Sequence, residues 1–105
     1  MTYTLSFRIR REYFDAIKSG KKDREIRKIN AFWARRVVAM ERAMNRHEKI
    51  VATFVCGKDV HRRRVYGFRY YVNASKALGR EPSKQGLEDL GDGPVYAFLL
   101  GREIR

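Results

Sequence analysis

Along "TYTLSFRIR", residues 2–10, apolar and polar side chains take turns. Tyr3, Leu5, Phe7 and Ile9 fall on one side, and Thr4, Ser6 and Arg8 on the other. Successive strand residues point to opposite faces, so this two-residue period predicts a strand with one buried face. The period then changes. In "REYFDAIKSG", residues 11–20, Tyr13 or Phe14 with Ile17 gives helical spacing, and Gly20 suits the left-handed position just past a helix end. A helix of about 2–3 turns is predicted. "DREIRKI", residues 23–29, returns to alternation, with Glu25, Arg27 and Ile29 on one side and Arg24, Ile26 and Lys28 on the other. With Ile26 turned inward, Glu25 and Arg27 face whatever lies opposite.

The middle of the chain carries two signals. Its Ala and Met content favours helix over residues 31–46, while Val37-Val38 and "KIVATFVCG", residues 49–57, favour strands. We read a strand, a turn at "MNRHE" (44–48) and a second strand. "VYGFRYYVNASKALG", residues 65–79, reads as a helix ending at Gly79. "SKQGLEDLG", residues 83–91, reads as a short helix capped by Ser83, and "PVYAFLLGREI", residues 94–104, as a final strand. The order strand, helix, strand, hairpin, helices, strand predicts an α+β fold. Its mostly antiparallel sheet would curl into a small β-barrel with flanking short helices. No Pro/Gly/Ser-rich linker or internal repeat divides the 105 residues, so residues 1–105 are expected to form one domain.

Charge changes the picture more than size does. There are 24 Lys and Arg against 12 Asp and Glu, a net charge of +12. Such an excess makes a positive field that attracts polyanions, and nucleic acid is the first candidate. A membrane partner is not expected. No apolar run approaches the ~20 residues of a span, and no clean basic amphipathic helix is present. The opening "MTYTLSFRIRR" lacks the order of a signal peptide, and Cys56 is the one cysteine. The expected setting is reducing and cytoplasmic. His47 and His61 have no metal-ligand spacing with each other or with Cys56, and no phosphate loop or Ser-His-Asp order is seen. Neither metal nor cofactor is expected.

At "YFDAIKSGKKDREIRK" the chain resembles ASCH-type domains of the PUA-like superfamily. Their signature is a short helix reading roughly a-I-x-G-x-K, then x-x-E-x-R on a strand. The matching positions are Ile17, Gly20, Lys22, Glu25 and Arg27. A strand like "TLSFRI" precedes that segment in the family and one like "VYAFLL" closes the domain. The resemblance implies a PUA-like barrel with a cleft that binds RNA, in preference to DNA, or a modified nucleoside. The Gly-x-Lys lysine and residues of the following strand line that cleft. In some relatives this lysine is implicated in removing an acyl group from 4-acetylcytidine, and others are described as ribonucleases. The chain departs from the pattern at Asp23, where Thr is frequent, and at Glu25, where the deacylase-like members carry Thr. Glu81 lies in roughly the region of their second acid.

Each candidate has a plainer reading beside the functional one. Lys22 lines the cleft or simply caps a helix C-terminus. Glu25 and Arg27 form a polar pair at the cleft, with Arg27 gripping a phosphate or base edge, or a surface ion pair of roughly 0–1 kcal/mol. In "RKINAFWARR", Phe32 and Trp33 lie among Arg27, Lys28, Arg35 and Arg36, an interleaving that stacks bases and neutralises phosphates. Equally, Trp33 or Phe32 plugs the core. "HRRR", His61 to Arg64, tracks a backbone or is a solvated helix start. The nucleic-acid-binding set is therefore Lys21, Lys22, Arg24, Glu25, Arg27, Lys28, Trp33, Arg35, Arg36, Arg62, Arg63 and Arg64. The leading expectation is a nucleic-acid-binding module with a basic cleft. The alternatives are a small hydrolase with Lys22 and Glu25 as catalytic residues, and a module that binds an acidic protein.

Overall fold

Alternation at the start of the chain forms β1 (Thr2–Arg8), whose Leu5 and Phe7 are buried while Thr2, Thr4 and Ser6 are exposed. The computed structural model describes residues 1–104. After β1 come α1 (Arg11–Lys18), β2 (Arg24–Lys28), α2 (Ala31–Asn45), β3 (Lys49–Cys56) and β4 (Asp59–Tyr71). Then follow α3 (Ala74–Leu78), α4 (Lys84–Leu90) and β5 (Val95–Glu103). No helix among the described residues is long and apolar enough to cross a membrane.

The fold is α+β. One five-stranded sheet runs in the order β1-β3-β4-β5-β2, with β1 parallel to β3 and the other three pairings antiparallel. The parallel pair needs a crossover, which α1, β2 and α2 supply. The sheet is mixed, mostly antiparallel, and curls into a half-barrel. Its two outermost strands approach each other: the guanidinium of Arg27 on β2 lies 5.2 Å from the Phe7 ring centroid on β1.

The sheet buries both faces, but unequally. On the inner face, Leu5, Phe7, Ile50, Ala52, Phe54 and Phe98 meet Phe14 and Ile17 of α1 and Trp33, Val37, Met40 and Ala43 of α2. On the outer face, Ile26, Val95 and Ala97 pack under Ala74 and Ala77 of α3, with Leu90 of α4 against them. Ile26 does turn toward a core, as expected, but toward this smaller one.

Two stretches differ from the sequence reading. Residues 31–45 are one helix, not a strand leading into a turn. Trp33, Val37, Met40 and Ala43 recur at three- and four-residue intervals and are all buried, while Val38 is 47% exposed. That stripe, with the Asn30 side chain accepting from the Trp33 amide at 2.9 Å, outweighs the strand preference of two valines. Residues 59–71 are a strand, so the helix expected over 65–79 shrinks to Ala74–Leu78. It begins at Asn73, whose side chain accepts from the Lys76 amide, and ends at Gly79 with φ +72° as expected. Register shifts after Arg63 and after Val65 break the alternation of β4, which hid the strand. The hairpin partner of β3 is thus β4. Ser83 caps α4 as expected, accepting from the Gly86 amide at 3.0 Å.

Candidate functional site

The segment after α1 builds the site. Gly20 takes φ +82°, which an L side chain rarely adopts, and the Lys22 amide bonds back to the Ala16 carbonyl at 3.0 Å. This folds Lys22 over the end of α1, with its ammonium 4.9 Å from the Tyr13 ring centroid. The chain then enters β2, which pairs with β5 so that Glu25 stands opposite Phe98. Strand alternation turns Glu25 and Arg27 to the inner face and Arg24, Ile26 and Lys28 to the outer one.

Glu25 is 4% exposed. Its Oε1 accepts from Lys22 Nζ at 3.0 Å and its Oε2 from Arg27 Nε at 2.9 Å. Taking a carboxylate out of water costs several kcal/mol, and two charge-assisted hydrogen bonds offset that only when both partners are held in place. Arg27 is so held. Its guanidinium lies 5.2 Å from the Phe7 centroid and 5.5 Å from that of Trp33, and its Nη2 donates to the Arg8 carbonyl at 3.4 Å. Beside it opens a cleft of ≈ 370 Å³ lined by Ser6, Phe7, Arg8, Arg27, Phe32, Trp33 and Val55. Phe32 on its wall is 51% exposed, and Arg36 lies over that ring at 3.3 Å.

The expected site residues divide. Arg27 and Trp33 line this cleft, while Glu25 and Lys22 reach it only through the ion pairs that end at Arg27, and Arg36 only through its contact with Phe32. Trp33 is 7% exposed and stacked on Phe7 at 4.9 Å, so it is chiefly core and offers the cleft little of its ring. Lys21 and Arg35 are exposed. Arg24 and Lys28 face the other side of the sheet, where Arg24 donates to the Ala77 carbonyl at 3.0 Å and ties down α3. Glu81 is exposed between α3 and α4, apart from the Lys22–Glu25–Arg27 network. Arg8 and Phe7 join the site without any signal in the sequence, because the curl of the sheet brings β1 to β2, and Tyr13 joins through the turn that folds Lys22 back over α1.

The "HRRR" run lies within β4, not at a helix start, and its members alternate. His61 and Arg63 turn inward opposite Phe54 and Ala52, while Arg62 and Arg64 turn outward opposite Thr53 and Val51. Arg63 is consumed by the fold. It donates to the Ile17 carbonyl at 2.9 Å, satisfying the end of α1, and also to the Gly101 carbonyl.

His61 is 5% exposed, edge-on to Phe14, with no hydrogen-bond partner at Nε2 among the described residues. Burial lowers its pKa from the ordinary 6.5; Glu103 opposes this, while Arg63 and Lys18 add to it. At neutral pH it is mostly uncharged in the unfolded chain and more completely so in the folded one. Below about 6.5 the unfolded chain gains a proton that the folded one resists, so stability falls as pH drops and levels off below the lowered folded value. Replacing His61 with Phe should flatten the decline in melting temperature between pH 7 and 5. An unchanged decline would remove His61 as its source.

Comparison of the chain with protein-family models, with curated proteins and with solved structures found no match in any of the three.

Proposed function

We propose that this protein is a nucleic-acid-binding module of the ASCH type, with a PUA-like barrel whose cleft takes one nucleotide of a single-stranded RNA. The observation that carries this is the Arg27 guanidinium. It is anchored by buried Glu25, laid over Phe7 and Trp33, and set beside an open cleft whose wall is exposed Phe32 under Arg36. A guanidinium plane and an aromatic ring both stack nucleobases, and Arg8 and Arg36 lie where phosphates flank the base. A volume of ≈ 370 Å³ is in the range of small-ligand sites. The net charge of +12 supplies the long-range attraction.

Support for the family reading comes from what its signature positions do. Ile17 is fully buried, Gly20 has a positive φ, and Lys22, Glu25 and Arg27 form one network. The hydrolase reading has less behind it. The nearest partner of Lys22 is the Glu25 carboxylate, and that acid is engaged on both oxygens, by Lys22 and by Arg27.

The test is fluorescence anisotropy with labelled single-stranded RNA, duplex RNA and duplex DNA over a salt series. Single-stranded RNA should bind tightest. Phe32→Ala should weaken it about tenfold at fixed salt, the loss of one stacked base, and leave the salt dependence unchanged. Equal binding of all three nucleic acids with no effect of Phe32→Ala would overturn the cleft. Release of acetate from 4-acetylcytidine, abolished by Lys22→Ala, would replace this reading with the hydrolase.

A further inference from the structure

The helices leave part of the sheet bare. On the outer face, α3 and α4 pack over β2, β5 and the end of β4. Over β1, β3 and the first half of β4, Thr2, Thr4, Thr53, Lys49, Arg62 and Arg64 line an open hollow of ≈ 700 Å³, joined by Arg102 and Glu103 from β5. Half of every strand's side chains lie on each face, so this surface is not a by-product of the inner cleft. It is a separate one on the opposite side of the sheet.

Its charge is unbalanced, with Lys49, Arg62, Arg64 and Arg102 set against the carboxylate of Glu103. Lys49, Arg62, Arg64 and Arg102 form no ion pair among the described residues. Like charges on one sheet face repel, and no side-chain hydrogen bond or ion pair among the described residues holds these four. The contrast with Arg24, Arg27 and Arg63 is plain, since each of those is bonded to a carbonyl. Arg64 Nε is buried and has no hydrogen-bond partner among the described residues. Beside Arg64, with the guanidinium 5.9 Å from its centroid, lies the ring of Tyr66, which is 61% exposed. That ring lies close against Gly101, where a Cβ would come within 2.2 Å of it.

We infer that this bare outer face is a second binding surface, a track for the sugar–phosphate backbone of single-stranded RNA. Arg62 and Arg64 are two residues apart on one strand, roughly 6.5–7 Å, a spacing that meets successive phosphates of an extended strand. The threonine hydroxyls donate to phosphate oxygens, and Tyr66 offers a ring for a base to stack on. An acidic peptide would satisfy the cations but has no use for the ring. The inference rests on the proposed RNA reading and adds a second surface to it, so that a bound strand is held on both sides of the sheet.

The experiment compares three variants with the wild type, using a fluorescein-labelled 20-nucleotide single-stranded RNA of mixed sequence from about 50 to 300 mM salt. Arg62→Gln/Arg64→Gln should lower affinity about tenfold at 100 mM salt and reduce the slope of log affinity against log salt by about 1.4, two contacts at ~0.7 each. Arg42→Gln/Arg46→Gln removes the same charge at the far end of α2 and should leave the slope within about 0.3 of wild type. Phe32→Ala should weaken binding without changing the slope. Melting temperatures confirm that each variant folds, and the glutamines keep the bulk of the face. An unchanged slope for the Arg62/Arg64 pair, or an equal fall for the Arg42/Arg46 pair, overturns the outer track. A fall confined to the first pair, with Phe32→Ala inert, upholds the track and overturns the cleft. No binding by the wild type overturns both.

Discussion

Phe7→Ala should remove about 3–5 kcal/mol of folding stability, the usual cost of emptying a large aromatic site. Phe7 is 1% exposed and touches almost everything that shapes the inner face. Its ring stacks on Trp33 at 4.9 Å and on Phe54 at 5.2 Å, and meets Phe98 edge-on at 5.4 Å. The first contact ties β1 to α2, the second to β3, and the third crosses the half-barrel to β5. Above the ring lies Arg27. A domain of this size has about 5–15 kcal/mol in total, so the variant would be close to unfolding at 37 °C. Phe7→Leu keeps most of the volume and should cost less than about 1.5 kcal/mol. Urea unfolding of the two variants checks both values. A loss under 1 kcal/mol for alanine would mean that the inner core is not organised around this ring.

The second prediction concerns which end of an ion pair matters. Arg27→Met should cost about 2–3 kcal/mol, and Glu25→Leu about 1 kcal/mol or less, although each breaks the same bond. The reason is what is left behind. Without Arg27, the Glu25 carboxylate stays buried with only Lys22 to serve it. Without Glu25, Arg27 and Lys22 remain with side chains 25% and 28% exposed, so both can turn to water. The usual penalty for orphaning a buried charge is 3–5 kcal/mol, and the remaining lysine reduces it. The double variant Glu25→Leu/Arg27→Met should then be more stable than Arg27→Met alone, because no carboxylate is left to strand. Denaturant midpoints of the three variants decide it. If Glu25→Leu is the costlier single change, the carboxylate is not the buried partner described here.

Most of the fold was legible where periodicity and chain punctuation agree. β1, α1, β2, β3, α4 and β5 all follow from alternation, helical spacing, the Ser83 cap and the glycines. The two stretches that were not legible share a cause. In α2 the local preference of Val37-Val38 points to strand, while burial of Trp33, Val37, Met40 and Ala43 against the sheet points to helix, and the tertiary contact wins. In β4 an inward-facing Arg63 and two register shifts erase the alternation, and only pairing with β3 and β5 makes the strand.

By itself, the sequence determined the local geometry of the site: a helix stopped by Gly20, a lysine beyond it, and Glu25 and Arg27 on one side of a strand. It also determined the sign of the field. These depend on neighbours a few residues apart or on simple sums of charge. The tertiary structure decided what those side chains face. Whether Glu25 is buried, whether Arg27 finds Phe7 and Trp33, and which arginines of "HRRR" are free depends on how far the sheet curls and which face each helix covers. Those are set by contacts between residues tens of positions apart, such as Arg27 with Arg8 and Arg63 with Ile17. A strand's period places residues on two faces but does not say which face meets solvent, and here the helices make that choice.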